Sequence, residues 1–280
     1  MKNQKRIKCL DVTINYIDEG NGDVILFIHN GGGFLQLWTR QIEYFSHSHR
    51  VIALDLPGFG ESSESFNAYT LDYYFSIIHE FLNKLKINEL NIVGNCIGAS
   101  LAIRSKNLYP EKVKKIVLIN ICPGERLIRS PLLRILIFKI KSKPFRAIFS
   151  SFITFFYFKT FIKNRFPGIL FGKKPDRESI IYKKYIEKMH SSKQVRSRLN
   201  LLYSSDTFTL KGYMSDNSKI KNALLIWGEY NKVASLKREG KYHSALCGIK
   251  NINVVKESGH LLMYESADET NELIKNYLGS

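Results

Sequence analysis

The stretch of this 280-residue chain best equipped for covalent chemistry is Gly94-Asn95-Cys96-Ile97-Gly98. The apolar run Glu89–Val93 leads into it and reads as a buried strand, and Ala99–Tyr109 follows with helical spacing. A turn between strand and helix that is this tight has no room for side chains at its two glycines, and it holds the central residue exposed at the top of the strand. A thiol in that place lies at a helix N-terminus, where the helix dipole and a neighbouring imidazole favour thiolate. Two other readings of Cys96 stand beside the reactive one: an inert small residue in a decayed turn, and a replacement of serine. Cys9, Cys122 and Cys247 read as buried apolar residues, with Cys122 at the end of a core strand, bordering the pocket.

The elements that must position Cys96 follow from the pattern of apolar runs. Ile7–Ile17 alternates loosely, as in an opening hairpin. Val24–Ile28, Arg50–Leu54, Val113–Ile119, Ala223–Trp227 and Ile252–Val255 are short continuous apolar runs, as expected of strands covered on both faces. Phe34–Phe45, Leu71–Leu85, Leu236–Leu246 and Ala267–Tyr277 have helical spacing. Alternating strands and helices imply a mostly parallel sheet with helices on both faces. The alternation stops at Cys122-Pro123 and resumes at Ala223. This divides the chain into a core, 1–122 and 216–280, and an inserted basic, aromatic-rich helical cap, 123–215.

Four blocks now stand in order: Asp55-Leu-Pro-Gly-Phe-Gly-Glu-Ser62, the Gly-x-Cys-x-Gly turn, Tyr109-Pro-Glu-Lys-Val-Lys-Lys-Ile-Val-Leu-Ile119, and Glu257-Ser-Gly-His-Leu261. Together they resemble the α/β-hydrolases of the lipase, esterase and peptidase type, with a cap inserted after the sixth strand. The resemblance runs from about Ile7 to the C-terminus outside the insertion. It implies that Gly94–Gly98 is the nucleophile elbow, that His260 is the general base, and that an acid lies between them in chain order. It also implies an oxyanion hole made by the backbone N–H of Ile97 and one from the His29-Asn30-Gly31-Gly32 turn. Gly31 is the position of choice and Gly32 the fallback, with Asn30, Gly32 and Asn95 bordering the substrate. Where relatives have His-Gly, this chain has His29-Asn30, and asparagine tolerates left-handed backbone well enough to keep the turn. His29 is expected to be structural, Trp38 core, and His47, His49, His79, His190 and His243 surface or structural.

The chain departs from the family at the acid. The Gly-Glu-x-Asp block after the seventh strand reads Gly228-Glu229-Tyr230-Asn231, and the alternative place after the sixth strand holds Asn120. Glu229 and Glu125 are the stand-in carboxylates. Asparagine is chemically consistent with cysteine. A serine needs a strong base and a carboxylate to stabilise the imidazolium, whereas a thiol titrates near about 8.5 and can rest as a thiolate–imidazolium pair. An amide oxygen then suffices to orient the histidine, as in Cys-His-Asn sites. The reading is a thiol-dependent acyl-transfer enzyme, a thioesterase or acyltransferase, with Cys96, His260 and Asn231 as its catalytic set. A plain carboxylesterase or lipase and a non-catalytic ligand-binding protein are the alternatives.

Charge points to partners. The formal net charge is +17, and between Pro123 and Tyr213 there are 20 Lys and Arg against 5 Asp and Glu. Such a segment suits an anionic partner, namely an acyl carrier protein, coenzyme A or an anionic membrane surface. In the plain reading it is an ordinary cap with its basic residues in water. Its longest uncharged run, Ala147–Phe158, is too short to span a bilayer. No nucleic-acid motif accompanies the charge. No cofactor or metal is expected: Gly31-Gly32-Gly33 lacks the Lys-Ser/Thr of a phosphate loop, and the cysteines show no ligand spacing. The basic start has no apolar run behind it, as expected of a chain without a signal peptide, and four scattered cysteines fit a cytoplasmic, reducing setting, with membrane association left to the basic cap.

Overall fold

The computed structural model describes residues 3–121, 167–172, 176–204 and 220–279. Eight strands form one sheet: β1 (Lys5–Cys9), β2 (Val12–Glu19), β3 (Val24–Ile28), β4 (Arg50–Leu54), β5 (Leu90–Asn95), β6 (Val113–Ile119), β7 (Ala223–Gly228) and β8 (Ile252–Val255). Their spatial order is β1-β2-β4-β3-β5-β6-β7-β8. β1 and β2 form an antiparallel hairpin, β2 lies antiparallel to β4, and all remaining pairs are parallel.

The apolar runs are continuous because the sheet is covered on both faces, and the two-residue period of a strand divides them between two cores. Leu26, Ile28, Ile52, Leu54, Ile92, Ile116 and Leu118 face one side, against α2 (Leu71–Lys84) and α3 (Ile97–Leu108). Ile25, Phe27, Val51, Ala53, Val93, Val117 and Ile119 face the other, against α1 (Thr39–Phe45) and the C-terminal helix. Trp38 is fully buried in this second core, as expected. α2 starts at Thr70, whose side chain accepts the Tyr73 N–H at 3.1 Å, and Asp72 in its first turn suits the dipole.

The described part of the insertion comprises α4 (Pro167–Leu170), α5 (Ile180–His190) and α6 (Ser192–Tyr203). Cys122, Glu125 and the run Ala147–Phe158 lie outside the described residues. The chain ends with α7 (Lys241–Cys247), α8 (Leu262–Glu265) and α9 (Ala267–Leu278). Two expected helices are composite. Phe34–Phe45 is a 3-10 turn, Leu35–Trp38, running into α1, and Leu236–Leu246 is a π-helical turn, Leu236–Gly240, running into α7. No helix among the described residues is long and apolar enough to cross a membrane.

Because six strands run parallel, the segments that follow β3, β4, β5, β6, β7 and β8 gather at one edge of the sheet. They carry His29–Gly33, Asp55–Ser62, Cys96, Asn120, Asn231 and His260.

Candidate active site

Cys96 closes β5, and α3 begins at Ile97, two residues earlier than the spacing predicts. Its backbone is at φ +58° and ψ −111°, a conformation that costs a non-glycine residue about 1–3 kcal/mol. The surroundings hold it there. The Cys96 N–H donates to Ile119 O at 2.9 Å, and Cys96 O accepts the Ala99 N–H at 3.1 Å. A Cβ at Gly94 would collide with the Gly98 backbone, and one at Gly98 with Ile28 O. Both glycines are therefore required by contact. The Ile97 N–H is the first amide of α3 and has no intrahelical acceptor by position.

One expectation is corrected here. Cys96 is not exposed: it is 4% accessible. The cap covers this edge of the sheet, with Leu201 of α6 in the same apolar cluster as Cys96 and Ile97. Tyr185 of α5 is fully buried. By contrast Cys9 and Cys247 are plain core residues, their thiols pushed up by burial to about 11 and about 12.

His260 is buried and its Nδ1 lies 3.2 Å from Asn231 Oδ1. That atom of Asn231 also accepts the N–H of Val233 and of Ala234, each at 3.1 Å, which identifies it as the oxygen. Nδ1 of His260 therefore carries the proton, leaving Nε2 as the acceptor. Asn231 Nδ2 is buried without a hydrogen-bond partner. Glu229, a stand-in acid by sequence, is exposed and accepts the Glu257 N–H at 3.0 Å, away from the imidazole. Asn120, at the alternative acid position, donates to Gly259 O and His260 O at 3.2 and 3.1 Å and accepts the Gly228 N–H at 2.9 Å. It is a clamp between β7 and the histidine loop.

Asn95 serves that loop too. It is fully buried, and its Nδ2 donates to His260 O at 3.2 Å. The side chain expected at the substrate thus ties the residue before Cys96 to the backbone of His260.

The turn after β3 differs from expectation in one residue. Asn30 keeps a negative φ; the left-handed residue is Gly32, at φ +84°. His29 fixes the turn from beneath. Its Nε2 accepts the Leu56 N–H at 2.9 Å, so Nδ1 donates to Asn30 O at 2.7 Å, and burial holds the ring's pKa down. Asp55 adds its carboxylate, accepting the Leu35 N–H at 2.7 Å, the Glu61 N–H at 2.8 Å and Asn15 Nδ2 at 2.8 Å. Gly31 faces Ile97: a Cβ there would lie 3.7 Å from Ile97 Cδ1 and press on Leu201. Asn30 is buried, and its Nδ2 donates to Gly31 O at 3.3 Å.

Three cap and loop residues reach the site with no sequence motif to announce them. Tyr185 packs between Phe34 and Phe171, at ring-centroid distances of 5.8 and 6.0 Å. Arg198 of α6 presses on Gly32, whose Cβ would meet Arg198 Nε. Burial pulls the pKa of this guanidinium down, and Tyr185 opposes that pull. Glu265 accepts the N–H of Gly172 at 2.5 Å and of Gly259 at 3.1 Å, and burial raises its pKa against those bonds and the nearby His260. Among the described residues, no cluster of His, Cys, Asp or Glu is placed to hold a metal.

The family model for the alpha/beta hydrolase fold matches residues 23–267, which contain every residue of this site. The chain belongs to the α/β-hydrolase fold family. As a member of it, the chain is 27% identical over 123 residues to epoxide hydrolase 2 of Caenorhabditis elegans, covering 42% of this chain and 35% of that protein. It is 25% identical over 299 residues to human epoxide hydrolase 4, covering 98% and 77%. The first curated relatives are thus matched over about a third of their length, 35% in the worm protein. Among solved structures, a bromoperoxidase from Bacillus anthracis superimposes with a TM-score of 0.79 at 20% identity, over 99% of this chain and 100% of that one. Its likeness is one of fold. The relatives support a hydrolase-fold enzyme.

Proposed function

We propose that the protein is a thiol-dependent acyl-transfer enzyme, acting on esters or thioesters through an acyl-enzyme on Cys96. The observation that carries this reading is the pairing of a cysteine at an intact, strained elbow with a histidine whose Nδ1 is oriented by an amide oxygen at 3.2 Å. A decayed elbow would have no reason to keep Cys96 at a positive φ or glycines on both sides.

In this reading the Cys96 thiolate attacks the carbonyl carbon, forming an Sγ–C bond while the carbonyl electrons move to oxygen. The Ile97 N–H and the Gly31 N–H hold that oxyanion. Collapse breaks the bond to the leaving group, which takes its proton from the His260 imidazolium. Water or another acceptor then gives its proton to His260 and attacks the acyl carbon, and the C–S bond breaks to regenerate the thiolate. Cysteine favours thioester substrates, since exchange between two thioesters is nearly isoenergetic. Asn231 is compatible with a thiol because a thiolate–imidazolium pair needs orientation more than a buried counter-charge.

Matched acyl thioesters and oxygen esters distinguish the classes. The account predicts faster turnover of the thioester by wild type and loss of both activities in Cys96→Ala. Oxygen esters turned over much faster than thioesters, with Cys96→Ser as active as wild type or more so, would assign the protein to ordinary esterases instead.

A further inference from the structure

Arg198 differs from the arginines that hold a carboxylate. Arg50, Arg104, Arg196 and Arg238 each hold a carboxylate, at 2.9, 2.9, 2.8 and 2.6 Å. Arg198, half-buried on the cap helix α6, donates to Met189 O at 3.0 Å, to Gln194 Oε1 at 3.1 Å and to Gly32 O at 3.3 Å. All three are neutral oxygens, and among the described residues no carboxylate pairs with this guanidinium. A neutral amide could serve such acceptors without the penalty of desolvating a charge. A half-buried cation without a counter-charge is suited to receive an anion, and its position says where that anion would come from. Gly31 and Gly32 are consecutive: the first contacts Ile97 beside the thiol, and the second contacts Arg198. The guanidinium thus stands against the proposed oxyanion turn, one residue from the glycine that faces Ile97.

We propose that Arg198 is a specificity-determining residue of this site and receives a carboxylate carried by the substrate, so that the preferred substrates are monoesters or monothioesters of dicarboxylic acids. The inference rests on the acyl-transfer reading of Cys96. A planar guanidinium matches a carboxylate with two parallel N–H···O bonds; both Nη2 protons are donated here, so the carboxylate would displace the 3.3 Å bond to Gly32 O. Arg196, two residues away on the same helix, turns outward to Glu64 and provides a control of equal charge.

The test is the alkylation rate of Cys96 by iodoacetate against iodoacetamide, with the modified residue identified by peptide mass mapping. The reagents differ by one carboxylate in place of an amide. The ratio of iodoacetate to iodoacetamide rates is expected to fall about tenfold in Arg198→Gln, as for loss of a charge-assisted bond. It should recover in part in Arg198→Lys and stay at the wild-type value in Arg196→Gln. A ratio unchanged by Arg198→Gln overturns the proposal while leaving Cys96 as a reactive thiol. An equal drop with both reagents, or the same drop in Arg198→Lys, also overturns it and makes Arg198 a positioning residue for the turn. If Cys96 reacts with neither reagent, the acyl-transfer reading fails, and calorimetric titration with succinate decides the anion site separately. Binding present in wild type and lost in Arg198→Gln upholds the site; no binding by wild type ends it.

Discussion

Cys96, His260 and Asn231 come from three different strand ends, and each is held by backbone before it is available for chemistry. The thiol is aimed by a positive φ that two glycine contacts enforce, and the imidazole by one oxygen, Asn231 Oδ1, which also closes the Val233–Ala234 turn. Asn231→Asp keeps an acceptor on each of these N–H groups, whereas Asn231→Ala removes them all. The account therefore expects Asn231→Asp to retain acyl transfer to within about tenfold and Asn231→Ala to lower kcat/KM about a hundredfold, the lower end of an acid–base contribution. Steady-state kinetics on one thioester checks both, and an Ala variant as active as wild type would reduce Asn231 to a turn residue. The elbow was legible in the sequence because glycine spacing is a local requirement. Tyr185, Arg198 and Glu265 were not, since nothing local marks them; only the docking of α5, α6 and α8 against the sheet edge brings them there. The left-handed place in the β3 turn belongs to Gly32 and not to Asn30 for a related reason: the guanidinium above it leaves no room for a Cβ.

The strands were readable to within a residue or two, because a strand covered on both faces is apolar without interruption, as in Val24–Ile28 and Arg50–Leu54. Helix types were less so. Leu35–Trp38 and Leu236–Gly240 depart from α geometry where they adjoin the site loops, and apolar spacing does not resolve one helical form from another. The junction between cap and histidine loop is a further element invisible in sequence. The His260 N–H donates to Leu170 O at 2.6 Å, and Glu265 bridges Gly172 of the cap to Gly259 of the loop. Its carboxyl is raised above the ordinary value of 4.5, chiefly by burial. The sign follows: between 4.5 and the raised value the folded chain keeps a proton that the unfolded chain has lost. The contribution of Glu265 is thus fully present below that window and is lost as pH rises through it. Glu265→Gln should remove this slope, so that the stability difference between wild type and variant, read from urea unfolding at a series of pH values, moves against wild type as pH rises through the window. A pH-independent difference would show that the junction does not titrate.

At the scale of the molecule, one sheet separates two cores, and the parallel strands deliver every site loop to one edge, beneath a cap that shuts the thiol away from water. The +17 charge is partly accounted for within the chain. Lys188 pairs with Glu61 at 2.6 Å, Arg196 pairs with Glu64, and Lys193 caps Gly60 O at 3.1 Å. These basic residues fasten the cap to the loop after β4. What remains of the excess is the reason to look for an anionic partner, and composition alone could not divide the two shares. The account as a whole depends on covalent chemistry at one sulfur. Intact-mass spectra of wild type and Cys96→Ala, taken after incubation with a panel of acyl thioesters that includes monothioesters of dicarboxylic acids, test it most directly. The account predicts an acyl adduct on wild type that is absent from Cys96→Ala. An adduct that persists in the variant, or no adduct and no turnover with any acyl group, would contradict it.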